Sequence, residues 1–352
     1  MKAAKLYAIQ DLRLEEVPVP EIKNSEDILI KVKATGICGS DLSRYGKFGP
    51  KKEVGLTFGH EFSGQIEEVG SEVTGFKKGD RVSVSPGLPC MKCEYCKSAD
   101  YSKCNSLEVI GAVADGSFAD YIVVPAENCI HIPDEITYEQ AAMIEPSAVV
   151  VHAFYQGDMQ VGDTVTVMGC GPIGLMCIQW AKVFGAKQII AIDVMPEKLD
   201  WARDMGADIV INGKEENAYE AVRRHTDGRG TDIVMEAAGT PFTCAQVLGL
   251  AAKGGKVVYL GIPYADVTID RFNFESIMRN ELLVVGSWNS ITGPYPGKAW
   301  DATVHFMKEG KIDLTPLITH RYDLSEVEEV FKKVFKRDTL FGKIMFFPEG
   351  VK

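Results

Sequence analysis

Thr164-Val165-Thr166-Val167-Met168-Gly169-Cys170-Gly171-Pro172-Ile173-Gly174 is the stretch that decides the fold. A short apolar, β-branched run enters G-x-G-x-x-G, and a helical pattern follows as far as Gly185. In such a turn Gly169 permits the tight bend, Gly171 lets backbone approach a pyrophosphate, and Gly174 lets helix and strand pack closely. Pro172 and Ile173 open the helix, with proline where its missing N–H costs nothing. The helix N-terminus then offers free N–H groups and a positive dipole to phosphate. Asp193 closes the next expected strand, 188–192, nineteen residues beyond Gly174. A carboxylate there accepts hydrogen bonds from a ribose 2′-OH and repels a 2′-phosphate, which selects NAD over NADP. Lys198, close by, weakens that preference.

Outward from this motif, apolar strands alternate with helices. Strands are expected at 164–168, 188–192, 208–211, 232–236, 256–260 and 282–286, with helices starting near Pro172, Pro196, Glu215 and Pro241. Buried, non-alternating strands separated by helices indicate an α/β, doubly wound parallel sheet. The segments 267–270 and 282–285 read as its apolar edge, and an exposed edge invites a second subunit. Before residue 160 the rhythm is that of a loop-rich antiparallel β domain: Ile28, Ile30 and Val32 alternate with Leu29, Lys31 and Lys33, and 81–84 and 121–124 read as strands. After Gly286, helices near 298–309 and 325–336 precede a last strand, 343–347. This tail is expected to complete the first domain. Residues 1–155 and 287–352 then form one domain, and 156–286 an inserted nucleotide-binding domain.

Composition narrows the role. The 352 residues suit two domains, and 46% hydrophobic with 25% charged residues is ordinary globular usage, not disorder. A net charge of −11 argues against a nucleic-acid partner, which calls for a basic stripe. No apolar run is long enough to span a bilayer, and the start Met1-Lys2-Ala3-Ala4-Lys5-Leu6 has no apolar core behind it. Nine cysteines, an odd number without a secretion signal, fit a reducing, cytoplasmic setting.

Four of them, Cys90, Cys93, Cys96 and Cys104, form C-x2-C-x2-C-x7-C in a lobe spanning 86–108. Four thiolates surround one tetrahedral Zn²⁺ with no open position, which marks a structural site; an iron–sulfur cluster uses similar ligands. Catalysis needs a second, open metal position. Cys38 and His60, taken singly, read more readily as a buried thiol and a core histidine than as ligands.

Gly59-His60-Glu61-Phe62-Ser63-Gly64 with Gly70 and Val73 resembles the signature of the zinc-containing medium-chain alcohol dehydrogenases. Cys38-Gly39-Ser40-Asp41, the four-cysteine lobe and the glycine turn follow in that family's order, so the resemblance covers essentially the whole chain. It implies a GroES-like β-rich catalytic domain joined to a Rossmann domain, and two Zn²⁺ per chain. Cys38 and His60 would hold the catalytic zinc. Where the alcohol dehydrogenases carry a second cysteine, this chain has Glu145, which resembles the polyol dehydrogenase branch and implies Glu145 as third ligand, directly or through water. Glu61 is either a further ligand or support for His60.

The same resemblance implies reversible hydride transfer between a secondary alcohol and NAD. Ser40 would relay the proton; the histidine that continues the relay in many relatives is replaced by Ser43. Glu236, Gly261 and Ile262 fall where the family contacts the cofactor. The aromatic tail with Trp288 and Asn289, and Arg44 after Cys-Gly-Ser-Asp, are most similar to the galactitol-1-phosphate dehydrogenases, which implies a sugar alcohol or its phosphate as substrate and Arg44 as the phosphate's partner. Lys47, Lys51 and Lys52 share that loop. Other readings are a threonine or 2,3-butanediol dehydrogenase, or a non-catalytic NAD-binding sensor. A homodimer or homotetramer is expected.

Overall fold

The computed structural model describes residues 1–336 and 340–351. The chain divides into two compact units, Met1–Ala148 with Ser290–Lys352, and Val149–Asn289. The divisions lie after 148 and 289, where the sequence suggests 155 and 286. The first falls inside a continuous helix, Ile144–Gln156, which runs through the division without a break.

In the second unit six strands form one parallel sheet. In spatial order they are Ile209–Asn212, Gln188–Asp193, Thr164–Met168, Thr231–Glu236, Ala251–Tyr259 and Leu283–Gly286. The order reverses at Thr164–Met168, so the glycine turn sits where strands diverge, the usual ligand position in such sheets. Ile190, Ile211, Val234 and Val257 are buried with helix residues Ala221 and Val222 in one core. Three local details depart from expectation. The helix expected near Glu215 begins at Ala218, because Asn217 caps it by accepting the Glu220 N–H at 3.2 Å. The strand expected at 256–260 starts at Ala251, with a register shift opposite Thr231. Residues 267–270 form no strand, so Leu283–Gly286 ends the sheet on that side, opposite Ile209–Asn212.

The first unit centres on a seven-stranded sheet. Asp27–Gly36 lies between Glu61–Val69 and the C-terminal strand Lys343–Phe347, and Tyr121–Pro125 also pairs with it. The C-terminal tail does return to this unit. Phe331 on the helix Val327–Phe335 packs among Tyr45, Phe58, Phe118 and Phe346. A side chain at Gly46 would collide with Phe335, 1.8 Å from its ring.

At the end of that tail Glu349 bridges Lys31 at 2.7 Å and Lys33 at 2.8 Å. These lysines hold its carboxyl down at about 2. A depressed carboxylate stabilises above its unfolded pKa and loses that contribution as pH falls toward 2. With about a third of the side chain exposed, solvent screening limits the effect. Glu349→Gln is expected to cost about 1 kcal/mol at pH 7 and nothing near pH 2, measured by urea unfolding at both. An equal loss at the two pH values would contradict the assignment. Among the described residues no helix is long and apolar enough to cross a membrane.

Candidate active site

Strand geometry assembles a buried polar group in the first unit. Asp27–Gly36 ends two residues before Cys38, which precedes the short helix Gly39–Ser43. Glu61 opens its own strand opposite Gly36, in register, with His60 immediately before it. The bend into His60 needs glycine: Gly59 has φ +97°, and a Cβ there would stand 2.6 Å from Ser117 Oγ. One donor atom each from Cys38, His60 and Glu61 lie within 4.8 Å of one another. His60 and Glu61 are buried, Cys38 half-buried.

Glu145 is buried near this group but stands outside the three-residue cluster. The structure thus gathers Cys38, His60 and Glu61, where the sequence pointed first to Cys38, His60 and Glu145. Adjacency on the chain decides this: one strand start delivers both His60 and Glu61. Burial pushes Glu145 up to about 7, with His60 pulling it down and Glu61 pushing it further up. Burial also opposes charge on the His60 ring, but Asp41 and Cys38 outweigh it and hold His60 well above its ordinary range.

Two residues escaped the sequence reading. Asp41 is fully buried; its Oδ2 accepts the Cys38 N–H at 3.0 Å, and its Oδ1 faces His60 Nδ1 at 3.4 Å without a hydrogen bond. Its position three residues after Cys38, opening a helix, was the available signal. Lys343 is buried and ion-paired with Glu61 Oε2. Nothing in the sequence near Lys343 announces that partner.

The remaining predicted residues fall around this group. Ser40 is half-buried in the first turn of Gly39–Ser43, while Ser43 donates its hydroxyl to the Gly39 carbonyl at 3.1 Å. Arg44 donates from Nη1 to the Gly111 carbonyl at 2.8 Å. Gly111 is packed against Gly59, so Arg44 also braces the bend that presents His60. Lys52 pairs with Glu108 at 2.8 Å on the surface, and Lys47 and Lys51 are exposed.

A thiol, an imidazole and a carboxylate gathered within 4.8 Å, beside an unsatisfied Asp41–His60 contact, fit a divalent transition ion held by three protein donors. The four-cysteine lobe fits a closed site. Cys93 and Cys96 sulfurs are 3.6 Å apart and Cys90 and Cys96 4.0 Å; a tetrahedron with 2.3 Å bonds has edges of about 3.8 Å. Backbone N–H groups of Cys96 and Asn105 draw Cys93 down to about 6, those of Lys92 and Cys93 lower Cys90, and burial pushes Cys96 up to about 12. All four are free of disulfides.

In the second unit the glycines divide their labour. Gly169 has φ +96°, a Cβ on Gly174 would stand 1.8 Å from the Gly169 carbonyl oxygen, and a Cβ on Gly171 would meet nothing within 4 Å. The Gly171 backbone is thus open to approach, as a turn that cradles a dinucleotide's phosphates would have it. Pro172 and Ile173 begin the helix Pro172–Val183 behind it. Asp193 Oδ2 accepts the Cys170 N–H at 2.7 Å, and its Oδ1 accepts those of Val194 and Met195 at 2.7 and 3.0 Å. Lys198 lies half-buried in the following helix. Glu236 is turned inward: wholly buried, it accepts from Ala238, Gly239 and Thr243. A Cβ on Gly261 would stand 2.5 Å from Glu236 Oε2, so Glu236 and Gly261 brace one turn, while Ile262 beside them is exposed. Trp288 is exposed; Asn289 has φ +56°, and its amide nitrogen is buried without a hydrogen-bond partner.

A glycine turn at the switch point of a doubly wound sheet and a clustered thiol–imidazole–carboxylate group are the features of a dehydrogenase that uses a nicotinamide dinucleotide and a metal. Residues 24–134 match the alcohol dehydrogenase GroES-like domain and residues 172–307 the zinc-binding dehydrogenase domain. The chain belongs to the zinc-dependent medium-chain alcohol and polyol dehydrogenases. It is 37% identical to sorbitol dehydrogenase of Bacillus subtilis, over 99% of this chain and 97% of that protein. With galactitol 1-phosphate 5-dehydrogenase of Escherichia coli K12 it shares 35% over 96% and 97%, and with L-threonine 3-dehydrogenase of Bacillus velezensis 36% over 95% of each. The crystal structure of galactitol-1-phosphate dehydrogenase from Escherichia coli superposes with a TM-score of 0.94, covering 99% of this chain and all of that one at 35% identity. A zinc-binding dehydrogenase from Sinorhizobium meliloti bound to NADP gives 0.89, covering 99% of each chain at 30% identity.

Proposed function

We propose that this protein oxidises a secondary alcohol of a sugar alcohol, with preference for a polyol phosphate such as galactitol 1-phosphate, and passes the hydride to NAD. The buried Cys38–His60–Glu61 group carries this reading. These residues would hold the catalytic zinc, with Glu145 beside it, and Cys90, Cys93, Cys96 and Cys104 a structural one. Zinc bound there supplies Lewis acidity, which lowers the pKa of an alcohol. Asp41 orients the His60 ring and fixes the Cys38 backbone. Ser40 offers its hydroxyl to the departing proton; Ser43 does not extend the relay, because its hydroxyl is spent on Gly39.

Asp193 supports NAD as the cofactor in two ways: its charge repels a 2′-phosphate, and its oxygens hold the glycine turn. Removing it therefore does more than relax selectivity. Asp193→Ala is expected to weaken NAD binding about tenfold, through lost charged hydrogen bonds, without making NADP a good cofactor. Tight NADP binding by that variant, measured by fluorescence titration, would show that the turn does not depend on Asp193.

Arg44 has further N–H groups for a phosphate besides the one given to Gly111. The test is NAD reduction with paired free and phosphorylated polyols. Arg44→Ala is expected to lower the ratio of kcat/KM for phosphorylated over free substrate about tenfold or more. The ratio is the readout because loss of the Gly111 bond weakens turnover of both alike. An unchanged ratio overturns the phosphate assignment, and a preference for threonine or 2,3-butanediol would replace it. The open edge Leu283–Gly286 exposes Leu283 and Val284, and the nearby helix exposes Phe272, Phe274 and Met278, which supports a homodimer or homotetramer. A monomer mass by light scattering overturns that reading. Nine unpaired thiols favour the cytoplasm.

A further inference from the structure

Lys343 is a lysine with 4% of its side chain exposed, paired with a glutamate at 2%. Taking both charges out of water costs more than the pair returns, so a buried bridge of this kind is poor evidence of stabilisation. Its placement is nevertheless specified by three strands. Gly36 pairs in register with Glu61 on one side and with Met345 on the other, so the final strand delivers Lys343 beside Glu61. The absence of a side chain at Gly36 makes the room: a Cβ there would stand 2.9 Å from both Glu61 Oε2 and Lys343 Cε.

We propose that Lys343 is a positioning residue for the metal-binding group: by gripping Glu61 Oε2 it confines that carboxylate to a single donor oxygen and keeps a coordination place open for substrate. This rests on the reading of Cys38, His60 and Glu61 as that group. One thiolate, one imidazole and one carboxylate oxygen make three donors, the number that leaves a four-coordinate ion one exchangeable position. A carboxylate has two oxygens able to donate. If Lys343 did not hold the second, Glu61 would close the site on itself.

The test uses the full chain loaded with cobalt(II) in place of zinc, whose visible absorption reports coordination number. Lys343→Met is expected to shift the open-site band, as the second Glu61 oxygen takes the exchangeable place. Release of that ion to a chelator should slow about tenfold, and KM for the alcohol should rise while KM for NAD stays level. Lys343→Arg should restore all three. An unchanged band with unchanged or faster release, or an arginine variant that fails to restore them, overturns the proposal. Lys343→Ala removes the grip on the Glu61 oxygen without adding a bulky side chain and decides the matter if the methionine variant does not fold: a shift in the same direction supports the proposal, and no shift overturns it. Cys38→Ser in the otherwise unaltered chain checks the underlying reading separately. If that variant still takes up as much cobalt as the parent, the metal-group assignment fails, whatever Lys343 does.

Discussion

Replacing Cys38 by serine is expected to lower kcat/KM for the alcohol about 10³-fold or more and to cut the metal content from two ions per chain to one. The size follows from what the side chain holds. A Lewis acid at the reacting oxygen is worth several kcal/mol of barrier, and each 1.36 kcal/mol is about tenfold in rate. The remaining ion should stay, because Cys90, Cys93, Cys96 and Cys104 form their own closed set. Folding should be kept: Cys38 is only half-buried, and its backbone N–H still finds Asp41. Metal analysis with steady-state kinetics checks this. A variant that retains two ions and near-normal turnover would show that the catalytic group lies elsewhere, whereas loss of both ions would mean that the two sets are not independent.

The second large effect separates two glycines of one motif. Gly174→Ala is expected to destabilise the second unit by about 4 kcal/mol or more, since a methyl 1.8 Å from the Gly169 carbonyl oxygen forces helix and strand apart. Gly171→Ala should fold normally, because its methyl meets no protein atom within 4 Å. It should instead weaken NAD binding about 10–100-fold by occupying space the pyrophosphate needs. Thermal unfolding and cofactor titration of both variants distinguish them. Equal thermal losses, or full NAD affinity in Gly171→Ala, would contradict the division of roles.

Much of this was legible because it is local. The run 164–174 contains strand, turn and helix in one stretch, and its three glycines are needed for reasons that act within it or on the ligand. The four cysteines likewise fall within fifteen residues and needed no tertiary knowledge. The strands at 81–84 and 164–168 appear where periodicity puts them. What sequence could not yield is set by strand order. Lys343 reaches Glu61 only because the last strand lies against Asp27–Gly36, and Gly36 looks like any strand glycine until both neighbours are in place. The choice between Glu61 and Glu145 depends on three-dimensional proximity, not spacing. Glu236 matched a ligand-contacting position by family pattern, yet its carboxylate is spent on its own turn, a use that burial alone discloses. Residues 267–270 are apolar enough for a strand, but no neighbour pairs with them.

If the Cys38–His60–Glu61 group holds the catalytic zinc of an NAD-linked polyol dehydrogenase, activity must follow that metal. NAD reduction with a polyol substrate, measured before and after zinc is returned to chelated protein in the parent and in Cys38→Ser, decides it. No reduction by either chelated protein is expected, with full recovery of the parent on adding zinc and no recovery of the variant. Reduction by the chelated parent, or recovery of Cys38→Ser to the parent's rate, would contradict it.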